Sequence, residues 1–386
     1  MSHRPRVVTD RTARLAWLPT DLGVAASCLP AVAAALAAGI LLDSPRSGAV
    51  AAGAAVTVGF GAFKHVHHSR AFAMLAATAG ICVSTALGTL AGRSDATMIA
   101  AVLLWALAAG LLPAVTGDLG WVGQQCAIFL MVAGNFPGGP EHALARTALV
   151  LGGSVVQVLV VEGLRRLVRP PLALPAAGEV VESARAAVAT VAREVRARSD
   201  VFRRAARVAV VLAAAVETWR LLHLPNGYWM AMTALLLVRP NLRATFGRAA
   251  ERVAGTVAGA GLATLLAHTL PRVTAHPSSH WVSAGLTAAF ALLALALQQG
   301  NRLGRRAITY PGSYGVFAAC LTAYVVYLLH YGGLEQRGVA VVRVLLTALG
   351  GLFALAVHLP FERALHVPRI PRLRRHAPGH APNVPG

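Results

Sequence analysis

An arginine followed by a threonine four residues on and a glycine seven residues on recurs in this sequence: Arg252, Thr256 and Gly259, then Arg343, Thr347 and Gly350. A third stretch, Arg146 to Gly153, keeps the arginine and the glycine but has Val150 in the threonine's place. On a helix these positions share one face, so each stretch reads as a stripe that is cationic at one end and open to close approach at the other. Such a stripe can bind an anion, because guanidinium N–H groups make charge-assisted hydrogen bonds to a carboxylate. It can also simply pack, with Gly255, Gly259 and Gly350 letting helices approach closely while the arginines snorkel toward headgroups. A charge within a membrane span is costly, which makes Arg343 a functional candidate; counted from Gly338 it lies about 8 Å along its helix.

Other chemistry-bearing residues are few. Glu217 is an acidic residue inside an apolar stretch and a candidate for proton exchange, with an ion pair to Arg220, one helical turn away, as the plainer reading. Glu162 reads as the partner of Arg165 and Arg166. The run Lys64-His65-Val66-His67-His68 has no acidic or cysteine neighbour in the sequence, so it reads as a solvated loop and no metal site is expected. Cys28, Cys82, Cys126 and Cys320 each lie in an apolar run without paired spacing, which suits packing between helices better than a disulfide or zinc framework. No phosphate loop, HExxH or Ser-His-Asp arrangement is present, so neither an enzyme nor a cofactor is expected.

The elements that carry these residues follow from composition. Of the 386 residues 56% are hydrophobic and 13% charged, and the mean hydropathy is +0.61, far more apolar than a soluble domain. The net charge of +20 would suit a nucleic-acid partner only if the basic groups lay on a polar surface among stacking aromatics. They lie between apolar runs, and no nucleic acid is expected. About twenty apolar residues cross a bilayer. Candidate segments run over about 22–42, 48–63, 71–92, 96–115, 120–136 and 144–164, then 205–223, 226–239, 250–270, 281–299, 311–330 and 338–359. The expected fold is therefore an all-α polytopic transmembrane bundle of about twelve spans in two six-helix halves.

With the N-terminus inside, alternation puts 28 of the 35 lysines and arginines on the inner side and 7 on the outer, as the positive-inside rule requires. The domain plan is a cytoplasmic N-tail over 1–20, a first membrane half over 21–168, a cytoplasmic linker over 169–204, a second membrane half over 205–360, and a basic, disordered C-tail over 361–386. In the linker, Val180, Ala184, Val188, Val191 and Val195 form an apolar face suited to the membrane surface or a partner helix. The weakest span is Asn226 to Arg239, which is either a crossing of a thinned membrane or a broken helix lining a cavity. The ninth and twelfth segments run oppositely, so 205–270 and 281–359 could form an inverted repeat of three helices each, with the two halves as parallel repeats.

One stretch carries a resemblance. Gly227-Tyr228-Trp229 through Thr233, then Arg239-Pro240-Asn241-Leu-Arg-Ala244-Thr245, Arg248, Arg252, Gly255-Thr256 and Gly259, resembles the signature of the fusaric acid resistance family, also called aromatic acid exporters, of which plant malate-activated anion channels are distant relatives. The match is specific over 226–270, weaker over 311–359 and architectural over 1–170. The family's second arginine motif commonly has an aspartate where this chain has Leu346, and relatives often have glycine where Arg243 stands. The resemblance implies export of aromatic or other organic carboxylates across a bacterial inner membrane, coupled to the proton gradient. Arg252 and Arg343 would hold the anion with Thr256 and Thr347 beside them, and Tyr228 and Trp229 would form an aromatic wall; the stripe that begins at Arg146, read from spacing alone, adds that residue as a candidate contact. An uncoupled anion channel and a non-transporting envelope scaffold remain open alternatives. The implied partners are the organic anion and membrane lipids, with a homo-oligomer left open.

Overall fold

The computed structural model describes residues 11–66, 69–167, 177–239, 241–269, 279–298 and 313–364. Thirteen α-helices occur among them: α1 Arg11–Leu41, α2 Pro45–Gly61, α3 Arg70–Ala91, α4 Asp95–Leu111, α5 Gly117–Gly134, α6 Pro140–Arg166, α7 Ala177–Arg196, α8 Asp200–Leu221, α9 Tyr228–Leu237, α10 Leu242–Thr269, α11 Ser279–Gln298, α12 Ser313–Tyr331 and α13 Gln336–Ala364. The helices begin at conventional start signals. Ser69, Ser94, Thr116 and Ser199 accept hydrogen bonds from Phe72, Thr97, Leu119 and Phe202 backbone N–H groups, and Pro45 and Pro140 open α2 and α6. Seven helices among the described residues are long and apolar enough to cross a membrane. With exposed leucines and valines along the outer faces, they make the chain a multi-pass membrane protein.

The twelve expected segments correspond to α1–α6 and α8–α13, with α7 as the linker helix between the halves. Several boundaries move. α1 starts at Arg11 and α8 at Asp200, so helix reaches into the stretches read as N-tail and linker, and α13 continues to Ala364. The remainder of the N-tail, residues 168–176 at the start of the linker, His67 and His68, and most of the C-tail lie outside the described residues. The segment 226–239 contains only a ten-residue helix, about 15 Å long and half the hydrocarbon thickness. Asn226 has φ 55° and Val238 leaves the helix with ψ 118°. α9 is thus a half-length helix, buried at Tyr228, Trp229, Met230, Ala231, Thr233, Ala234 and Leu237, whereas the 28 residues of α10 reach about 42 Å.

Close contacts at glycines expose the symmetry of the bundle. A Cβ added to Gly88 on α3 would collide with the Leu130 carbonyl and approach the Ala133 Cβ on α5; one added to Gly255 on α10 would collide with the Gly315 carbonyl and approach the Ala318 Cβ on α12. One turn further, Gly92 meets Gly134 and Gly259 meets Ala319. Both pairs therefore run parallel, at the same spacing. Likewise Gly153 on α6 abuts the Ala51 carbonyl on α2, and Gly350 on α13 abuts the Met230 carbonyl and Thr233 on α9. The halves join where α4 lies against α8 and α1 against α11, pairs that exchange when the halves are exchanged. Within the second half, Gly259 and Gly350 each follow an arginine by seven residues, and each packs on a backbone carbonyl of a neighbouring helix, on α12 and α9 respectively. That is the relation an inverted pair of three-helix units would have.

Alanine at Gly88 or Gly255 should each lower the melting temperature of the detergent-solubilised protein, because overpacking costs on the order of 1–3 kcal/mol. Gly261, beside which an added Cβ meets nothing within 4 Å, should tolerate alanine with no loss, or with a gain of up to about 1 kcal/mol from the better helix former. Equal melting temperatures for all three variants would show that these backbone contacts do not hold the bundle together.

Candidate anion-binding site

The site begins at the elbow between α9 and α10. The Asn241 side-chain oxygen accepts a hydrogen bond from the Ala244 N–H at 2.8 Å, capping α10. Thr245, fully buried, donates its hydroxyl to the Asn241 carbonyl at 3.1 Å and accepts from the Arg239 N–H at 3.0 Å. The elbow thereby sets where α10 starts and how far along it Arg252 sits.

Arg252 on α10 and Arg343 on α13 point into the protein. They are 1% and 2% exposed and rank among its largest fully buried side chains. A Cβ on Gly351 would lie 3.7 Å from the Ala249 Cβ, which gives one register point between α10 and α13. The two helices run antiparallel, since α10 parallels α12 and a short turn reverses the chain into α13. Counting along them puts Arg252 level with Thr347 and Arg343 level with Thr256, one reciprocal pair on each side of a local two-fold. Arg343 is within electrostatic reach of both Arg252 and Tyr228. Thr256 and Thr347 are buried beside them, and the Thr256 hydroxyl donates to the Arg252 carbonyl at 2.8 Å.

The wall beneath Arg343 is aromatic. Its guanidinium carbon stands 5.0 Å from the Trp229 ring centre, within cation–π range. Trp229 meets Tyr228 edge-to-face at 5.5 Å. The Nε and Nη1 groups of both Arg252 and Arg343 are buried and make no hydrogen bond among the described residues. A guanidinium carries five N–H donors, and leaving donors on a buried charge without acceptors is costly. A carboxylate between them would satisfy donors on both at once.

Toward the basic end of α10 the cationic row continues. Arg248 lies with its guanidinium carbon 3.4 Å from the Tyr314 ring centre and within electrostatic reach of Arg239, Glu251 and Arg252. Sequence reasoning had Arg248 in the family-like stretch but gave no hint of Tyr314 beneath it, because a ring on a helix one hairpin later leaves no local signal.

Other expected residues fall elsewhere. Arg146, grouped with the anion contacts from its stripe, hydrogen-bonds the Phe136 carbonyl and lies 5.8 Å from the Phe136 ring. Glu217 does not pair with Arg220. Arg220 instead forms an ion pair with Asp95 on α4 and donates to the Gly92 carbonyl at 3.1 Å, because packing of α8 on α4 brings an acid closer than the one a helical turn away. Glu217 is left with one carboxylate oxygen buried and without a hydrogen-bond partner. Glu162 does pair with Arg165 at 3.1 Å and Arg166 at 3.8 Å. Lys64 and His65 gain an acidic neighbour that the sequence separates widely: Asp118 lies 3.6 Å from the Lys64 ammonium and accepts from the His65 N–H at 2.9 Å. Among the described residues no cluster of three or more His, Cys, Asp or Glu side chains could hold a metal.

Comparison with known proteins finds a match over the second half of the chain. Residues 208–357, which contain α9, α10, α11, α12 and most of α8 and α13, match the family model described as fusaric acid resistance protein-like. A Neisseria gonorrhoeae protein described as uncharacterized protein ORF2 is 30% identical over 158 residues, 41% of this chain and 33% of its own length. The chain thus matches about a third of that relative. No solved structure matches the chain. Both buried arginines, both threonines and the aromatic wall fall inside residues 208–357, the stretch that matches the fusaric acid resistance protein-like family model.

Proposed function

We propose that this membrane protein exports organic carboxylates, aromatic acids foremost, with the carboxylate bound between Arg252 and Arg343 and the ring against Trp229 and Tyr228. The reading rests on one observation above the others: two guanidinium groups from different helices are buried within electrostatic reach of each other, with donors that meet no acceptor among the described residues. Two like charges enclosed in a bundle repel, and an anion removes both the repulsion and the donor deficit. An aromatic acid suits the rest of the site, since its ring can pack on Trp229 while its carboxylate faces Arg343. The match of residues 208–357 to the fusaric acid resistance protein-like family model supports a transporter or resistance role. The charge asymmetry of the loops supports a bacterial inner membrane with both termini on the arginine-rich side.

Coupling to protons is assigned to Glu217. It is the acidic residue in the apolar part of α8, and its buried carboxylate oxygen has no partner now that Arg220 is engaged with Asp95. An acidic residue within a span is a functional candidate by default, and proton relays of membrane transporters are built from such residues.

Arg252→Gln and Arg343→Gln should each raise the half-saturating concentration for benzoate efflux roughly 10- to 100-fold, from the loss of charge-assisted hydrogen bonds worth about 1.5–3 kcal/mol. Efflux from cells with matched membrane expression reads this out, and unchanged efflux in either variant would remove that arginine from the site. Glu217→Gln should abolish the response of net benzoate flux to an imposed pH gradient while exchange of labelled for unlabelled benzoate continues. A Glu217→Gln protein that still follows the gradient would place the proton elsewhere.

A further inference from the structure

Between the aromatic wall and the surface at the arginine-poor end lies a file of rings. Trp229 is 1% exposed and Tyr228 5%. Beyond Tyr228 comes Phe136, 6.4 Å from it centre to centre and 44% exposed. Phe136 lies between α5 and α6 rather than on either helix, so it belongs to the first half of the chain while Tyr228 belongs to the second. From Arg343 outward, the contacts run guanidinium to Trp229 at 5.0 Å, Trp229 to Tyr228 at 5.5 Å, Tyr228 to Phe136 at 6.4 Å, and Phe136 to the Arg146 guanidinium at 5.8 Å. The line thus begins on a buried cation and ends on a half-exposed one, with three aromatic rings between.

We propose that the Phe136–Tyr228 ring pair is the gate of the anion route at this end of the bundle, and that Arg146 is its latch. The proposal rests on the anion-transport reading above and adds the route's exit. Ring rotation about χ angles is fast and needs no helix movement, so a half-exposed ring on a connecting segment can clear the path while the packed helices stay in place. Arg146 positions that segment by donating to the Phe136 carbonyl and standing over its ring. A carboxylate arriving at the surface, or leaving past Tyr228, competes with that carbonyl for the same guanidinium. Capture of the anion by Arg146 releases the segment that carries Phe136. Arg146 is then a positioning residue for the gate and a transient contact for the anion, and it does not share the inner pocket with Arg252 and Arg343.

The test uses the whole protein in proteoliposomes, with the four native cysteines replaced and Thr347→Cys introduced behind the gate. The probe is the membrane-impermeant anionic thiol reagent 2-sulfonatoethyl methanethiosulfonate, applied from the Arg146 side. Phe136→Ala should speed labelling of the new cysteine at least tenfold, and Phe136→Trp should slow it. Arg146→Gln should speed labelling and abolish any acceleration by added benzoate, while Arg146→Lys, which keeps a donor for the carbonyl, should restore slow, benzoate-sensitive labelling. Labelling that is unaffected by the Phe136 variants, or that never occurs from this side, would overturn the gate. Labelling unaffected by Arg146→Gln would overturn the latch. Benzoate flux through the Arg343→Gln protein in the same vesicles reports separately on the binding site, so a working gate over a failed site, or the reverse, would be recognised.

Discussion

Two buried guanidinium groups whose Nε and Nη1 donors meet no acceptor among the described residues are the constraint to which the rest of the second half answers. Removing an ion from water costs several kcal/mol even after a protein relaxes around it, so Arg252 and Arg343 stay inside only because the helices that carry them cannot rotate outward. What prevents rotation is backbone contact. Gly259 rests on the Ala319 carbonyl and Gly350 on the Met230 carbonyl, each seven residues beyond its arginine and on the same helical face. The feature that lets the helices touch therefore also aims the charges. On this stripe, close packing and the placement of the charge are two ends of one device.

The first half makes the same device without the charge. If Gly88 stands where Gly255 does, Thr85 occupies the place of Arg252 and Thr89 that of Thr256. Their hydroxyls donate to the Ile81 and Thr85 carbonyls at 2.7 and 2.9 Å and satisfy themselves within their own helix. If Gly153 stands where Gly350 does, Arg146 matches Arg343, yet it is turned to the Phe136 carbonyl. The repeated contacts preserve the fold in both halves, while the pair of facing arginines occurs in one. A bundle with two charged centres would carry the desolvation cost twice, and the neutral half supplies rigid walls at no such cost.

Much of this was legible in the sequence, for identifiable reasons. Helix positions follow from apolar length, which is a local property of the sequence. The arginine stripes were legible because a 3.6-residue period maps spacing directly onto a face. What could not be read was partner choice across helices. Arg220 had a plausible acid one turn away in Glu217, and nothing local reveals that α4 delivers Asp95 instead. Asp118 reaches Lys64 and His65 for the same non-local reason, and Tyr314 reaches Arg248. For α9 the sequence left two readings, a short crossing or a broken helix, because Asn226 to Arg239 is apolar enough for either; the positive φ at Asn226, which delays the helix start, is a backbone property rather than a matter of hydropathy.

That shortness has a consequence for the site. A ten-residue helix cannot be held by lipid along its length and must be held at its ends. At its start Gly227 lies so close to Trp219 on α8 that a Cβ there would meet the Trp219 Cβ at 2.5 Å and the indole Cγ at 2.6 Å. At its end the Arg239 N–H is tied to Thr245 on α10. α9 is therefore clamped between α8 and α10 while its middle abuts Gly350 on α13, and the three contacts together locate Trp229 under Arg343. Residues 227–245 carry both the aromatic wall and the elbow because the wall is positioned only as well as the elbow is, which is a physical reason for these otherwise unrelated residue types to travel as one signature.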